Sequence, residues 1–377
     1  MRELSLYVHI PFCVRKCLYC DFLSFPVGKK RQEIESYVNL LKQELRARAE
    51  ACRDYTVKTV FFGGGTPSLL EPEQMQGLMD EIRQCYALSQ DAEITMEMNP
   101  GTASADSIRG YREAGINRLS IGLQSASDEE LRRIGRIHTY DQFLHTYEAA
   151  RAAGFDNINI DLMAALPGQD TASYRETLRR VTALSPEHIS AYSLILEEGT
   201  WLCEHREDYV FPTEEEERGM YLLTQQYLAE YGYHRYEISN YAKEGRECRH
   251  NKVYWQRGNY LGVGLGAASM VENVRWSNPA EKEAYRVCAG RSGFPEGQAL
   301  TEQEQMEEFM FLGLRLTEGV REETFYQQFG KTIRDVYGDV IDRFAGQGLL
   351  LQKDGRVYLT QKGVDVSNYV MADFLFD

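Results

Sequence analysis

The sequence predicts an α/β fold, an open, partial (β/α)6 TIM-like barrel followed by a C-terminal helical, winged-helix-like module. Two observations carry this reading. From Leu4 to about Leu196 short β-rich runs alternate with helix-like stretches, the pattern of a parallel sheet wrapped by helices. Glycine-bearing or polar residues follow the strand ends repeatedly (GGGT, NPG, then Gln124-Ser125), which is where barrel enzymes keep their chemistry. Six βα units fall short of the eight that close a full barrel, so a wide cleft is expected.

The predicted strands run Leu4 to Ile10, Val57 to Phe62, Ala92 to Met98, Arg118 to Leu123, Asn157 to Leu162 and His188 to Leu194. Between them, apolar periodicity predicts helices over Glu33 to Ala51, Pro72 to Tyr86, Ser104 to Ala114, Tyr140 to Ala153 and Ala172 to Leu184. These units make a core domain of residues 1–213. Beyond it the rhythm changes. An acidic run, Glu214 to Glu217, opens a helix and leads into YHRYEISNYA, HNKVYW and GVGLGAAS, read as a cap or extension over 214–299. The remainder, 300–377, reads as three helices, a hairpin turning at Asp354-Gly355 and a closing helix from Gln361.

A net charge of -15 and a pI near 5.1 oppose a broad nucleic-acid footprint, because phosphate binding needs clustered Lys and Arg in excess. The winged-helix-like module is therefore expected to serve an interdomain or protein-docking role rather than to bind DNA. No apolar run reaches the ~18 residues a membrane span requires, and MRELSLYVHI lacks the pattern of a secretory signal, so a cytoplasmic protein is expected. Eight cysteines are too few for a disulfide scaffold in a chain of 377 residues. Cys52, Cys85, Cys203, Cys248 and Cys288 are scattered and read as packed or half-exposed thiols.

The other three stand together. In PFCVRKCLYCDF, Cys13, Cys17 and Cys20 follow the first strand at the spacing CxxxCxxC, so their thiols can converge from one compact loop. Three thiolates hold a 4Fe-4S cluster and leave one iron open to another ligand. A structural zinc site would want a fourth Cys or His, usually from a second paired cluster, and no such cluster stands elsewhere in the chain. Gly63, Gly64 and Gly65 after the second strand allow backbone to approach a ligand closely, with Thr66 adding a hydroxyl. Glu97 ends the third strand as an acceptor suited to ribose hydroxyls, or as a solvated strand-end acid.

The cysteine loop, GGGTPS at Gly63 to Ser68, IGLQS at Ile121 to Ser125, DLMAALPGQ at Asp161 to Gln169 and HNKVYW at His250 to Trp255 resemble the radical-SAM superfamily. Within it, nearly the whole chain resembles the HemW-type haem chaperones, relatives of the oxygen-independent coproporphyrinogen III oxidases of the HemN type. The resemblance implies an iron-sulfur cluster whose open iron takes S-adenosyl-L-methionine. It places Tyr7, Tyr19, Gly64, Gly65, Thr66 and Glu97 around that cofactor, although the two tyrosines also read as simple packing. Gln124, Arg136 and Asp161 match positions that in HemN-like proteins surround a second S-adenosylmethionine, and Arg136 reads equally as a carboxylate clamp or a surface arginine. One or two cofactor molecules are both open.

For HNKVYW the residues by themselves offer an imidazole able to ligate haem iron and aromatics able to cover a porphyrin, with a core histidine as the plainer alternative. The resemblance makes His250 the haem-associated residue, with Asn251, Tyr254 and Trp255 beside it and Cys248 as a rival ligand. Two departures set the chain apart from the oxidases. Phe22 stands where they have a further Cys, and the chain begins on its first strand where they carry a substrate-contacting extension. The implied function is a metal-binding haem chaperone delivering haem to an acceptor haemoprotein, membrane-associated or not, with a reductant protein for the cluster. The alternative is an enzyme of porphyrin biosynthesis, a coproporphyrinogen dehydrogenase-like oxidoreductase.

Overall fold

The computed structural model describes residues 1–27 and 31–376. The chain opens on β1 (Arg2–Ile10), followed by a small parallel ladder, β2 (Phe12–Cys13) and β3 (Phe25–Pro26), that brackets the cysteine loop. It continues as α1 (Arg31–Ala49), β4 (Tyr55–Gly64), α2 (Pro72–Cys85), β5 (Ala87–Met98), α3 (Ala105–Ala114), β6 (Arg118–Gln124), α4 (Asp128–Arg133), α5 (Tyr140–Ala152), β7 (Ile158–Ala164), α6 (Thr171–Ala183) and β8 (His188–Ser193). The six expected strands are all present, and neighbours β1, β4, β5, β6, β7 and β8 pair in parallel.

Alternation explains which way each strand faces. Leu4, Leu6, Val8 and Ile10 of β1 are buried against Leu41 and Leu45 of α1 and Leu78 and Ile82 of α2 in the main core. The intervening positions carry hydrogen-bonding groups: Ser5 with Thr59, and Ser120, Asn159 and Asp161 with one another. A side-chain period of two thus gives the sheet an apolar face toward the helices and a polar face toward the barrel interior.

The segment after α7 (Trp201–Glu204) joins this sheet on both sides. Past α8 (Glu214–Glu230), β9 (His234–Arg235) and β10 (Asn240–Ala242) add antiparallel strands beside β8. After α9 (Arg249–Trp255), β11 (Tyr260–Val263) runs parallel to β1. Then β12 (Ala268–Val271), β13 (Val274–Ser277) and, past α10 (Lys282–Cys288), β14 (Gln298–Ala299) extend that side antiparallel. The result is a twelve-stranded sheet whose described edges are β14 and β9.

The last segment has its own core, in which Met310, Phe325, Ile341, Phe344, Leu350, Val357 and Phe374 are buried together. It comprises α11 (Glu302–Gly313), β15 (Val320–Arg321), α12 (Glu322–Phe329), α13 (Ile333–Gly346), β16 (Leu350–Lys353), β17 (Arg356–Leu359), α14 (Gln361–Asp365) and α15 (Ser367–Ala372). Asp354 and Gly355 both have positive φ, 54° and 71°, as a two-residue hairpin turn matched to strand twist requires.

Candidate functional site

The cysteine loop leaves the C-terminal end of β1 and is tied back by two backbone bonds, Phe25 N–H to the Pro11 carbonyl (2.7 Å) and Val27 N–H to the Cys13 carbonyl (2.9 Å). Cys13 is buried, Cys17 and Cys20 are half-buried, and all three are free thiols. They line one pocket of about 130 Å³. Among the described residues no three His, Cys, Asp or Glu side chains close on a single metal ion. Three ligands of one zinc must do so; three ligands to different irons of a cluster need not, so the donor set fits the cluster better.

The same pocket is walled by Tyr19 of the cysteine loop, by Gly64, Gly65 and Glu97 at the ends of β4 and β5, and by Gln124, Arg136 and Asp161. Gly64 has φ +106°, and a Cβ there would lie 2.3 Å from the His9 ring. At Gly65 a Cβ would stand 2.7 and 2.8 Å from the Phe12 and Ile10 carbonyl oxygens. Glycine is therefore required for the strand to pass this close to the cysteine loop. Glu97 Oε2 accepts the Gly64 N–H at 3.0 Å. Burial first, and the nearby Asp161 second, push its carboxyl up to about 7. Asp161 is likewise raised by burial, against hydrogen bonds from Asn159 (2.7 Å) and Ser120 (3.1 Å). Gln124 holds a left-handed φ of 71°, a conformation uncommon outside glycine that clusters at ligand sites.

Two residues assigned to the cofactor stand outside this wall. Thr66 supports the cysteine loop, its hydroxyl 3.5 Å from Cys13 Sγ. Tyr7 lies deeper in the barrel, its hydroxyl 3.0 Å from His9 Nδ1 and its ring stacked on Phe61. Asn99, not singled out from the sequence, links the parts: its Nδ2 donates to Thr66 Oγ1 (2.8 Å) and its Oδ1 accepts from Arg136 (2.9 Å), which also donates to Cys17 Sγ (3.6 Å). The NPG after β5 was its signal, a polar residue at a strand's C-terminal end. Arg15, Lys16 and Phe22 of the cysteine loop also line the pocket.

HNKVYW forms α9, and its residues do not share one site. His250 is 1% exposed inside the barrel. Its Nδ1 lies 2.7 Å from Thr59 Oγ1 and its Nε2 2.9 Å from the Tyr254 hydroxyl, so both ring nitrogens are engaged. Its ring stacks on Phe61 at 5.1 Å. Burial, followed by the Arg118 charge, pulls its pKa down to about 3 and keeps it neutral. Glu93 caps the helix, accepting the Arg249 and His250 N–H groups at 3.0 Å each. Trp255 faces the other way, with the Arg315 guanidinium 4.3 Å above its ring, and lines a separate cavity of about 240 Å³ against the C-terminal segment. Asn251 is half-buried on the same helix. Cys248 is buried, its thiol pushed up to about 12 by burial, with Sγ 3.6 Å from Glu93 Oε1. In this structure, which holds no haem, the His250 imidazole is a buried residue with both ring nitrogens hydrogen-bonded.

Residues 7–181 match the Radical SAM superfamily, and residues 300–366 match the HemN C-terminal domain. The chain is 37% identical to the heme chaperone HemW of Bacillus subtilis (strain 168), covering 98% of this chain and 99% of that protein. It is also 37% identical to heme chaperone HemW of Escherichia coli (strain K12), covering 99% and 98%. The bovine mitochondrial radical S-adenosyl methionine domain-containing protein 1 is 32% identical over 98% of this chain and 87% of its own. Coproporphyrinogen III oxidase (HemN) from Escherichia coli superposes with a TM-score of 0.86 at 26% identity, over 99% of this chain and 90% of that one. With relatives of this similarity along its whole length, the chain belongs to the heme chaperone HemW family of the radical SAM superfamily.

Proposed function

We propose that this protein is a haem chaperone: it binds haem and passes it to acceptor haemoproteins, and it carries a 4Fe-4S cluster on Cys13, Cys17 and Cys20 with S-adenosylmethionine beside it. The observation that carries the reading is the end-to-end similarity to two HemW chaperones, C-terminal segment included. The pocket supports the cofactor on chemical grounds. When bound, the cluster's open iron supplies a coordination site for the amino and carboxylate groups of S-adenosylmethionine. Glu97 and Asp161 are two half-buried carboxyls, each costly to ionise through desolvation and Glu97 further through the Asp161 charge, and a cationic sulfonium ligand relieves that cost. Arg136 stands ready for a carboxylate, and the Gly64-Gly65 backbone admits a ligand without steric conflict. A cytoplasmic setting and a separate reductant protein suit eight free thiols, three of them cluster ligands.

The second reading, a coproporphyrinogen oxidase, draws on the superposition with HemN. Against it stands Phe22, 60% exposed at the pocket, where the oxidases carry a further cysteine. One experiment separates them. The protein is reconstituted anaerobically, loaded with haem and mixed with an apo-haemoprotein, while 5'-deoxyadenosine and porphyrin products are assayed in the same tubes. Stoichiometric haem binding and transfer without porphyrin turnover is expected. Decarboxylation of coproporphyrinogen that depends on the three cysteines would establish the oxidase instead.

A further inference from the structure

Cys13 and Cys17 both receive side-chain hydrogen bonds from outside their own loop: the Thr66 hydroxyl lies 3.5 Å from Cys13 Sγ, and Arg136 Nη1 lies 3.6 Å from Cys17 Sγ. The two donors are joined through Asn99, whose Nδ2 donates to Thr66 Oγ1 at 2.8 Å and whose Oδ1 accepts from Arg136 Nη2 at 2.9 Å. Chemistry fixes the direction of every bond in this chain. A guanidinium has donors only, so the oxygen of the Asn99 amide must face Arg136 and the nitrogen must face Thr66. That nitrogen donates, so the Thr66 oxygen accepts and its own proton is left for Cys13. The polarity therefore runs one way, from the Arg136 charge through Asn99 and Thr66 to sulfur.

These side chains serve the sulfurs rather than local structure. Thr66 stands immediately before the single 3-10 turn Pro67–Leu69, where a threonine hydroxyl ordinarily caps free backbone N–H groups, and it makes no such bond. It is 2% exposed, so bulk water does not compete for its proton. Asn99 is held at the end of β5 by its own backbone. Its N–H donates to Ser68 Oγ at 3.3 Å, its carbonyl accepts from Thr102 Oγ1 at 2.6 Å, and the following Pro100 restricts its conformation. Arg136 is steadied by a further bond from Nη2 to the Gly122 carbonyl.

We propose that Asn99 is a positioning residue for the iron-sulfur cluster: it orders one directed chain of donors that ends on Cys13 through Thr66 and on Cys17 through Arg136, and this chain raises the cluster's reduction potential. The inference rests on the assignment of the cluster to Cys13, Cys17 and Cys20. One-electron reduction adds a negative charge that spreads onto the sulfurs, and donors aimed at those sulfurs stabilise the reduced form more than the oxidised one. The electron comes from an external reductant, dithionite in vitro, and the relay itself neither makes nor breaks a covalent bond.

The test reconstitutes the full-length protein anaerobically without S-adenosylmethionine, counts iron and sulfide per chain, and titrates the cluster with dithionite while following the EPR signal of the reduced form. Thr66→Val keeps the shape and removes the donor, and is expected to lower the reduction equilibrium roughly fivefold, about 40 mV for one electron. Thr66→Ser keeps the hydroxyl and should titrate as wild type. Asn99→Asp presents acceptors to both neighbours, which turns the Thr66 proton away from Cys13 and adds a negative charge, so its potential should fall further than that of Thr66→Val. Fully loaded Thr66→Val and Asn99→Asp proteins that titrate as wild type overturn the inference while sparing the cluster assignment. A shift in Asn99→Asp alone overturns it too, because added charge then accounts for the change without the hydroxyl. Should Asn99→Asp load poorly, Thr66→Val against Thr66→Ser decides. A wild-type protein that takes up no four-iron cluster overturns both.

Discussion

Glu97 concentrates what the pocket demands of single residues. Its carboxyl, pushed up to about 7 by burial and Asp161, titrates between the unfolded value of 4.5 and 7, where the native state holds a proton the unfolded chain has released. Stability from this group is therefore present below pH 4.5 and lost as pH rises toward 7. Glu97→Gln, which cannot ionise, should leave the cofactor-free protein's melting temperature unchanged near pH 4.5 and raise it at pH 8. The gain is on the order of 1 to 3 kcal/mol after allowing for partial solvent access. The same variant should bind S-adenosylmethionine less tightly, checked by calorimetry. His250 runs the opposite way. Its pKa falls from 6.5 to about 3 on folding, so the stability it contributes is full above 6.5 and lost as pH falls through that window. His250→Ala should cost about 2 to 4 kcal/mol in urea unfolding, through the cavity and the lost bonds to Thr59 and Tyr254. The pocket's Cys13, Cys17, Cys20, Gly64, Gly65 and Glu97 were readable because spacing and strand-end position are local properties, whereas Tyr19, Gln124, Arg136 and Asp161 came from the resemblance. The fate of His250 was not readable, because it depends on Thr59 and Phe61, nearly two hundred positions away in the chain, meeting α9 inside the barrel.

Elements differ in how much of themselves they announce. The strands from β1 to β8 that build the barrel are bounded by glycine and polar turns, so both their existence and their order follow from local pattern. The strands β9 to β14 are two to four residues long and extend edges already built, β8 on one side and β1 on the other, which no local periodicity reveals. That is why the region reads as a cap in sequence and lies in the sheet in three dimensions. Where β4 leaves the sheet, the GGG run lets it graze the cysteine loop, and the Gly65 N–H donates to the Ile10 carbonyl at 2.8 Å. Gly65→Ala would push a methyl into two backbone carbonyls that have no rotamer to yield, so the loop must move. The expected result is about 1 to 3 kcal/mol of destabilisation together with a lower iron content per chain after reconstitution. Full iron loading in a destabilised Gly65→Ala protein would mean that the cluster tolerates the displaced loop.

At the scale of the whole molecule, two apolar cores are joined by a largely buried ionic contact. Glu308 of α11 accepts from Arg257 Nε at 3.1 Å and pairs with Arg275 of β13 at 2.8 Å, with the Arg257 and Glu308 side chains only 3% and 9% exposed. Burial lowers the Arg257 pKa and Glu308 opposes that, while Asn273 accepts a further bond from Arg257 at 3.1 Å. A buried guanidinium without its carboxylate is costly, whereas the intact pair contributes little more than a well-packed apolar replacement. Glu308→Ala should therefore destabilise the protein by about 3 to 5 kcal/mol and separate the unfolding of the C-terminal segment from that of the barrel in a denaturant titration followed by two probes. The double replacement Arg257→Met with Glu308→Leu should recover most of the loss, because it removes the stranded charge along with its partner. If the double variant stays as unstable as Glu308→Ala, the contact holds the segments by geometry that apolar packing cannot supply. The position of Trp255, two residues before Arg257, would then depend on that ion pair.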